Sequence, residues 1–224
     1  MPMPGRAAEA LLLTTEENPP FNFTDPATGR PAGFATEVVD LVMKRAGITY
    51  SVQVLPWNRA FQMALNDPGT CVYATNLTAE RRPLFKWVTP LATGGWTLFS
   101  RSDWPGEIHT AADAKKHPVL VVRGGALERE LRAQGFSLIP TSLQSLFRML
   151  ARGRAPLAAL GTMDGPWRAK QTGVAIKPVL QLMSAEVALA CSLHIPDETI
   201  ARLSVSLAGL RAEGAVDRIL AGYR

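Results

Sequence analysis

The sequence predicts an α/β protein built around a parallel sheet with helices on both faces. Short β-prone runs alternate with segments whose apolar residues recur at helical spacing, and this continues along most of the chain. Glycine and proline fall at the joints, where they stop helices or turn the backbone. Strand–helix–strand order favours parallel pairing, because a parallel neighbour is reached only through a crossover.

Each element follows from its pattern. Ala10 to Thr15 reads as a buried strand, broken at Asn18-Pro19-Pro20-Phe21, and Asp25 to Gly29 reads as a turn. Phe34 to Ala46 carries apolar residues at helical spacing and stops at Gly47. Tyr50 to Leu55 alternates as a second strand, Trp57 to Leu65 reads as a second helix, and Cys71 to Thr75 as a third strand. Pro90 to Arg101 is a glycine-bearing extended segment, after which a second α/β set begins. Its strands are predicted at Val119 to Val122 and Leu157 to Leu160, its helices at Leu127 to Gln134 and Leu143 to Arg152. A last strand at Val187 to Cys191 precedes a helical pattern from Pro196 to Gly214 and a short one ending at Tyr223.

Composition narrows the function classes. The 224 residues are 47% hydrophobic and 19% charged, enough for one large domain or two small lobes with separate cores. The net charge of +5 invites a nucleic-acid reading. The basic residues are scattered, however, and aromatics do not alternate with arginines, so no nucleic-acid partner is expected. No apolar run approaches the roughly 20 residues that span a bilayer. The first ten residues lack the apolar segment of a signal peptide, which leaves either a cytosolic protein or a mature chain whose signal has been removed. Two cysteines are too few for a disulfide scaffold, and no metal spacing is present, so neither metal nor cofactor is expected.

The segment Ala74 to Trp87 is the most informative. A strand ends in small polar residues, and Thr78 is a candidate N-cap ahead of Glu80, Arg81 and Arg82. An arginine on the first turn after a strand end projects into the crevice where open α/β sheets bind ligands. Its planar fork suits a carboxylate or phosphate. The competing reading is a solvated helix face.

The ordered set of Pro19-Pro20-Phe21, Gly29, Gly33-Phe34, Thr78 to Arg81, Trp87, Pro90, Gly124, Gly153-Arg154 and Leu210 to Tyr223 resembles the family-3 solute-binding proteins of bacterial ABC transporters, the polar-amino-acid group. The segment Leu55 to Ala60 resembles a proteobacterial variant of that group. The resemblance implies a two-lobed, type II periplasmic-binding-protein fold with two hinge crossovers, near residues 91–95 and 185–188, and the ligand in the interlobe cleft. Lobe one would comprise residues 1–92 plus 188–224, and lobe two residues 93–187. It also implies a periplasmic location, a small carboxylate-bearing ligand, an inner-membrane ABC permease as partner, a monomer and no catalysis.

Carried over residue by residue, the resemblance puts Arg81 on the ligand carboxylate, Trp57 on the pocket wall or in the core, and Asn76 near the ligand amine. Thr75, Glu16, Asn18 and Phe21 complete the first-lobe set, with core packing as the alternative for Phe21. Departures are as telling. The acid after the first strand is Thr15 here, followed by Glu16 and Glu17. The second-lobe hydroxyls are replaced by Gly124-Gly125-Ala126, whose backbone N–H groups could still bind an anion. The second-lobe aspartate is replaced by Gly161, with Asp164 three residues on. The carboxylate half of the site is kept and the ammonium half is altered, so the ligand is either an amino acid held by Glu16, Glu17 or Asp164, or an acid without a free α-amine.

In that fold Cys71 and Cys191 would lie on neighbouring antiparallel strands. If Thr75 opposes Val187, the register faces the two cysteines, either as free thiols or as a disulfide. Rival functions remain. Dehydratase-like or lytic-transglycosylase-like enzymes on this fold would use Glu16, Glu17 or Glu186 as general acid. His109, His117 and His194 are expected at the surface. A ligand-sensing receptor domain would share the fold, although a chain ending at Arg224 without a membrane segment is expected of a freestanding binder.

Overall fold

The structure, a computed structural model, describes residues 10–124 and 126–223. In chain order the first elements are β1 (Leu11–Thr15), β2 (Phe23–Thr24), β3 (Pro31–Ala32), α1 (Phe34–Ala46), β4 (Tyr50–Val54), α2 (Trp57–Asn66) and β5 (Thr70–Asn76). A 3-10 turn (Arg82–Leu84) leads into β6 (Lys86–Arg101), α3 (Ala111–Ala114), β7 (Val119–Val122), α4 (Ala126–Ala133), β8 (Leu138–Thr141) and α5 (Leu143–Ala151). The chain closes with β9 (Leu157–Gly161), α6 (Asp164–Thr172), β10 (Ile176–Cys191), α7 (Asp197–Ala212) and α8 (Ala215–Gly222). It divides into two compact units, one of residues 1–93 and 185–224, the other of residues 94–184.

In the first unit the strand order is β4-β1-β5-β10. β1 pairs in parallel with β4 and β5, while β10 returns antiparallel to β5. Helix α1 buries Phe34, Val38, Val39, Val42 and Met43, a stripe at three- and four-residue spacing that gives it one apolar face. Gly33 precedes it with φ 108, and a Cβ there would lie 2.6 Å from the Phe21 carbonyl oxygen, so only glycine fits. Phe21 packs on fully buried Phe34 with ring centroids 5.0 Å apart.

Cys71 and Cys191 pair across β5 and β10 and are joined by a disulfide, fully buried. The register that brings them together is not the uniform one expected. Thr75 pairs with Ala188 rather than Val187, and a bulge between Ala188 and Ala190 shifts the pairing so that Cys191 faces Cys71. Ala74 lies on the bulged stretch with φ 59 and absorbs the extra residue.

In the second unit the order is β6-β9-β7-β8, with β7 parallel to β8 and β9, and β9 antiparallel to β6. Both faces are covered. Leu98, Val119, Val121, Leu157 and Ala159 point into one core cluster, and Phe99, Leu120, Ala158 and Leu160 into another. Alternation with both faces buried explains why these strands read as continuous apolar runs. Gly95 lets β6 approach β10, since a Cβ there would lie 2.0 Å from the Met183 carbonyl oxygen.

Three differences from the sequence expectations have physical causes. The extended segment at 90–101 and the strand at 187–191 are the far ends of two 16-residue strands, β6 and β10, each contributing to both units. No element is predicted over 164–172, yet α6 forms there. Its Gly165-Pro166 pair reads as a breaker, but Pro166 sits in the first helical turn, where a missing N–H costs nothing. Thr78 caps no α-helix. Its hydroxyl accepts from Arg81 N at 3.3 Å in a turn, and only a 3-10 turn follows, since Pro83 has no N–H to continue an α-helical ladder.

Candidate functional site

In the first unit Thr75, Asn76, Arg81 and Trp57 lie at or beside the end of β5. Arg81 leaves the turn after the strand half-buried, and its guanidinium carbon lies 5.4 Å from the ring centroids of both Trp57 and Phe61. The two rings sit one turn apart on α2, 5.6 Å from each other, a spacing that puts both on one helix face. Phe61 continues edge-on to Phe85 and Phe85 to Trp87, at 5.1 and 5.7 Å. Trp87 Nε1 donates to the Arg82 carbonyl at 2.9 Å, which ties the ladder back to the arginine turn.

Trp57 packs beside the cluster of Ala60, Ala64, Val72, Phe85 and Ala190, as its core alternative has it, and its ring also lies under Arg81. Among the described residues no carboxylate lies in ion-pair range of Arg81. Among those residues the guanidinium donates to the Asn76 carbonyl, at 3.4 Å. Asn76 meets the arginine through its backbone rather than its amide.

Glu16 is half-buried at the end of β1, and burial raises its carboxyl above the ordinary range while the Arg81 charge works in the opposite direction. Its carbonyl accepts from the Asn22 amide. Asn18 is occupied in the turn below, where its N–H donates to the Asn22 carbonyl at 2.7 Å and its carbonyl accepts from Phe21 N at 2.9 Å. Thr75 is fully buried, with its hydroxyl committed to the Val72 carbonyl at 3.3 Å. Phe21, half-buried, packs on Phe34 as its core alternative expects.

The remaining candidate acids have partners. Glu17 accepts from Thr24 N at 3.0 and 3.1 Å, and Glu186 accepts from Thr89 Oγ1 at 2.9 Å. His109 and His194 are exposed as expected, but His117 is half-buried, edge-on to Trp104 at 5.6 Å. Among the described residues no group of three His, Cys, Asp or Glu side chains could hold a metal ion.

In the second unit the carboxyl ends of β7 and β9 border a cavity of about 330 Å³, lined by Trp96, Val122, Leu127, Leu143, Asp164, Arg168 and their neighbours. Gly161 ends β9, and a Cβ there would lie 1.7 Å from Asp164 Oδ1. The Asp164 carboxylate thus occupies the place where a side chain at 161 would begin. Burial raises its carboxyl, and Arg168, whose Nε lies 3.4 Å from Oδ2, opposes the shift. Gly124 N–H donates to the Glu128 carboxylate at 2.6 Å, so the anion at this helix start is supplied by the chain itself. That bond and Arg132 hold the Glu128 carboxyl below its ordinary range. Gly125 and the Ala126 side chain lie outside the described residues.

Sequence reasoning passes over Phe61, Glu128 and Arg168. Signals existed for two of them: Phe61 follows Trp57 by four residues in a predicted helix, and Glu128 falls in the first turn of another.

Two α/β units joined by two long shared strands define a type II periplasmic-binding-protein fold. The chain belongs to the bacterial extracellular solute-binding proteins, family 3, whose model matches residues 11–223. Among curated proteins, none matches the chain. Solved structures share the fold at low identity. The L-cystine solute receptor of Neisseria gonorrhoeae, in its unliganded open conformation, is 19% identical with a TM-score of 0.81, over 96% of this chain and 92% of that one. An ancestral cationic amino acid solute-binding protein is 18% identical with a TM-score of 0.79, over 96% and 95%. A histidine kinase sensor domain with similarity to periplasmic binding proteins is 21% identical with a TM-score of 0.71, over 96% of each chain. No helix among the described residues is long and apolar enough to cross a membrane.

Proposed function

We propose that the chain captures a small carboxylate-bearing solute, an amino acid derivative or organic acid, in the periplasm as a monomer and without turning it over. Delivery to an ABC permease after hinge closure belongs to the same reading and rests on the family, as the amino-acid ligands named for its relatives also suggest. The observation that carries the proposal is Arg81. A guanidinium poised on two aromatic faces, with no carboxylate in ion-pair range among the described residues and a long bond to a carbonyl, has its bidentate edge available to an anion.

A thermal-shift screen of amino acids, opines and organic acids, followed by calorimetry on hits, tests it. Arg81→Ala is expected to weaken the best acid by about 1.5–3 kcal/mol, the scale of a charged hydrogen bond, with the fold retained. Unchanged affinity in that variant removes Arg81 from the site.

One observation supports a second reading. The likeness to a histidine kinase sensor domain fits a module that senses the same solute instead of delivering it. Copurification of the ligand-loaded chain with a permease rather than a kinase separates the two.

A further inference from the structure

The cavity at the carboxyl ends of β7 and β9 is apolar over most of its wall, through Trp96, Val122, Leu127, Leu143 and Leu160. Its charged lining residues are Asp164 and Arg168, four residues apart on α6 and paired with each other. Their side chains are 26% and 25% exposed, so both face the cavity while screened from bulk water. The nearby helix start at Gly124 is likewise closed by Glu128, which Arg132 balances at 2.7 Å. The cavity thus meets its ligand with charges already balanced. A cation entering it would have to compete with Arg168 for Asp164, or sit beside a guanidinium with no acid to itself.

We infer that this cavity is a subsite for the uncharged aliphatic or aromatic part of the ligand, and that Arg168 is the residue that excludes ligands carrying an ammonium group there. Arg168 acts by occupying the Asp164 carboxylate, whose position Gly161 leaves open by having no side chain. The ligand class that follows is a monocarboxylic acid with a branched aliphatic or aryl tail, lacking a free amine or bearing it acylated. This rests on the reading of the chain as a carboxylate binder and adds what the second unit selects.

The test uses probe pairs that differ by the amine alone: 4-methylpentanoate against leucine, and 3-phenylpropanoate against phenylalanine, measured by calorimetry on the whole chain. The desamino acid of each pair is expected to bind at least about tenfold tighter, the scale of one uncompensated charged contact. Arg168→Gln frees Asp164 and is expected to erase or invert that ratio, whereas Arg168→Lys, which keeps the counter-charge, restores most of it. Amino acids binding as tightly as their desamino partners, or a ratio unmoved by Arg168→Gln in a variant that melts like the parent, overturns the inference, as does absence of binding by all four probes. Arg81→Ala keeps the two readings apart. If it leaves 4-methylpentanoate binding intact while Arg168→Gln still shifts the ratio, the carboxylate anchor is wrong and the subsite stands.

Discussion

The candidate-site groups of the two units treat charge in opposite ways. In the first, Arg81 stands over Trp57 and Phe61 without an acidic partner in ion-pair range among the described residues. In the second, Asp164 is matched by Arg168, and the Gly124 N–H is matched by Glu128. An unmatched, aromatic-supported guanidinium is a poor stability element and a good anion receptor, because its hydrogen-bonding edge is not consumed by the fold. Internally matched pairs have the reverse character: they fix local geometry and leave shape and apolar surface to do the selecting.

The largest effect that would sharpen this contrast concerns stability of the first unit alone. The disulfide closes a loop of 120 residues, and chain-entropy reasoning assigns such a crosslink about 5 kcal/mol. Replacing Cys71 and Cys191 together with alanine is expected to lower the melting temperature sharply. Amide exchange should quicken first in β5, β10 and their neighbours. Exchange that quickens equally in β7 and β9 would show that the units do not unfold separately.

Next in size is Phe61→Leu. Leucine keeps most of the apolar volume but removes two aromatic contacts, with Trp57 and Phe85, and one of the two faces under Arg81. Together these are worth about 2 kcal/mol of stability. The comparison predicts a further loss of affinity for carboxylates, because Arg81 is no longer held in place. Stability loss with affinity unchanged, measured by melting and calorimetry on one preparation, would mean that the ladder is core packing only.

Much of this was open to sequence reasoning, and the omissions share a cause. Helices with a full apolar stripe, such as α1, are visible because burial repeats along them. Arg81 taken alone reads equally as part of a solvated face, and it stands out only through the ordered resemblance of the segments around it. The bulge at Ala74 leaves no trace, since a single extra residue changes pairing without changing composition. Arg168 becomes meaningful only once α6 is known to be helical, and Gly165-Pro166 conceals that helix. The role of Gly161 is the least visible, because it lies in a side chain that is not there and in the carboxylate that fills its space.

A smaller effect, of about 1 kcal/mol, is expected for Gly161→Ala. The new Cβ would meet Asp164 Oδ1 and force the carboxylate to rotate away from its place beside Arg168. Since Arg168 opposes the burial-driven rise of the Asp164 carboxyl, separating them should raise that carboxyl further, which carbon-detected titration reads directly. A raised acid favours the folded state least when ionised, so the variant should lose ground against the parent as pH rises through the folded-state value. An unmoved titration would show that the pair tolerates a side chain at 161 and that the two charges are less tightly matched than their geometry implies.

The smallest expected effect is that of Glu128→Gln, and its sign is what matters. Glu128 is held below its ordinary range, first by the Gly124 N–H and then by Arg132. A carboxyl depressed by folding stabilises the protein above its unfolded value and loses that contribution as pH falls through the folded one. The parent should therefore show an acid-dependent loss of second-unit stability that the glutamine variant lacks, measured by melting from neutral to acidic pH. Glutamine can still accept from Gly124 N–H but brings no charge to the helix start, so anion binding there becomes open to solutes. If the variant gains affinity for small carboxylates, the parent's own glutamate is what keeps the second unit from being a second anion receptor, and the opposition between the units is built by one side chain. If affinity is unchanged, the helix start is simply a capped end, and selection in the second unit belongs to the cavity alone.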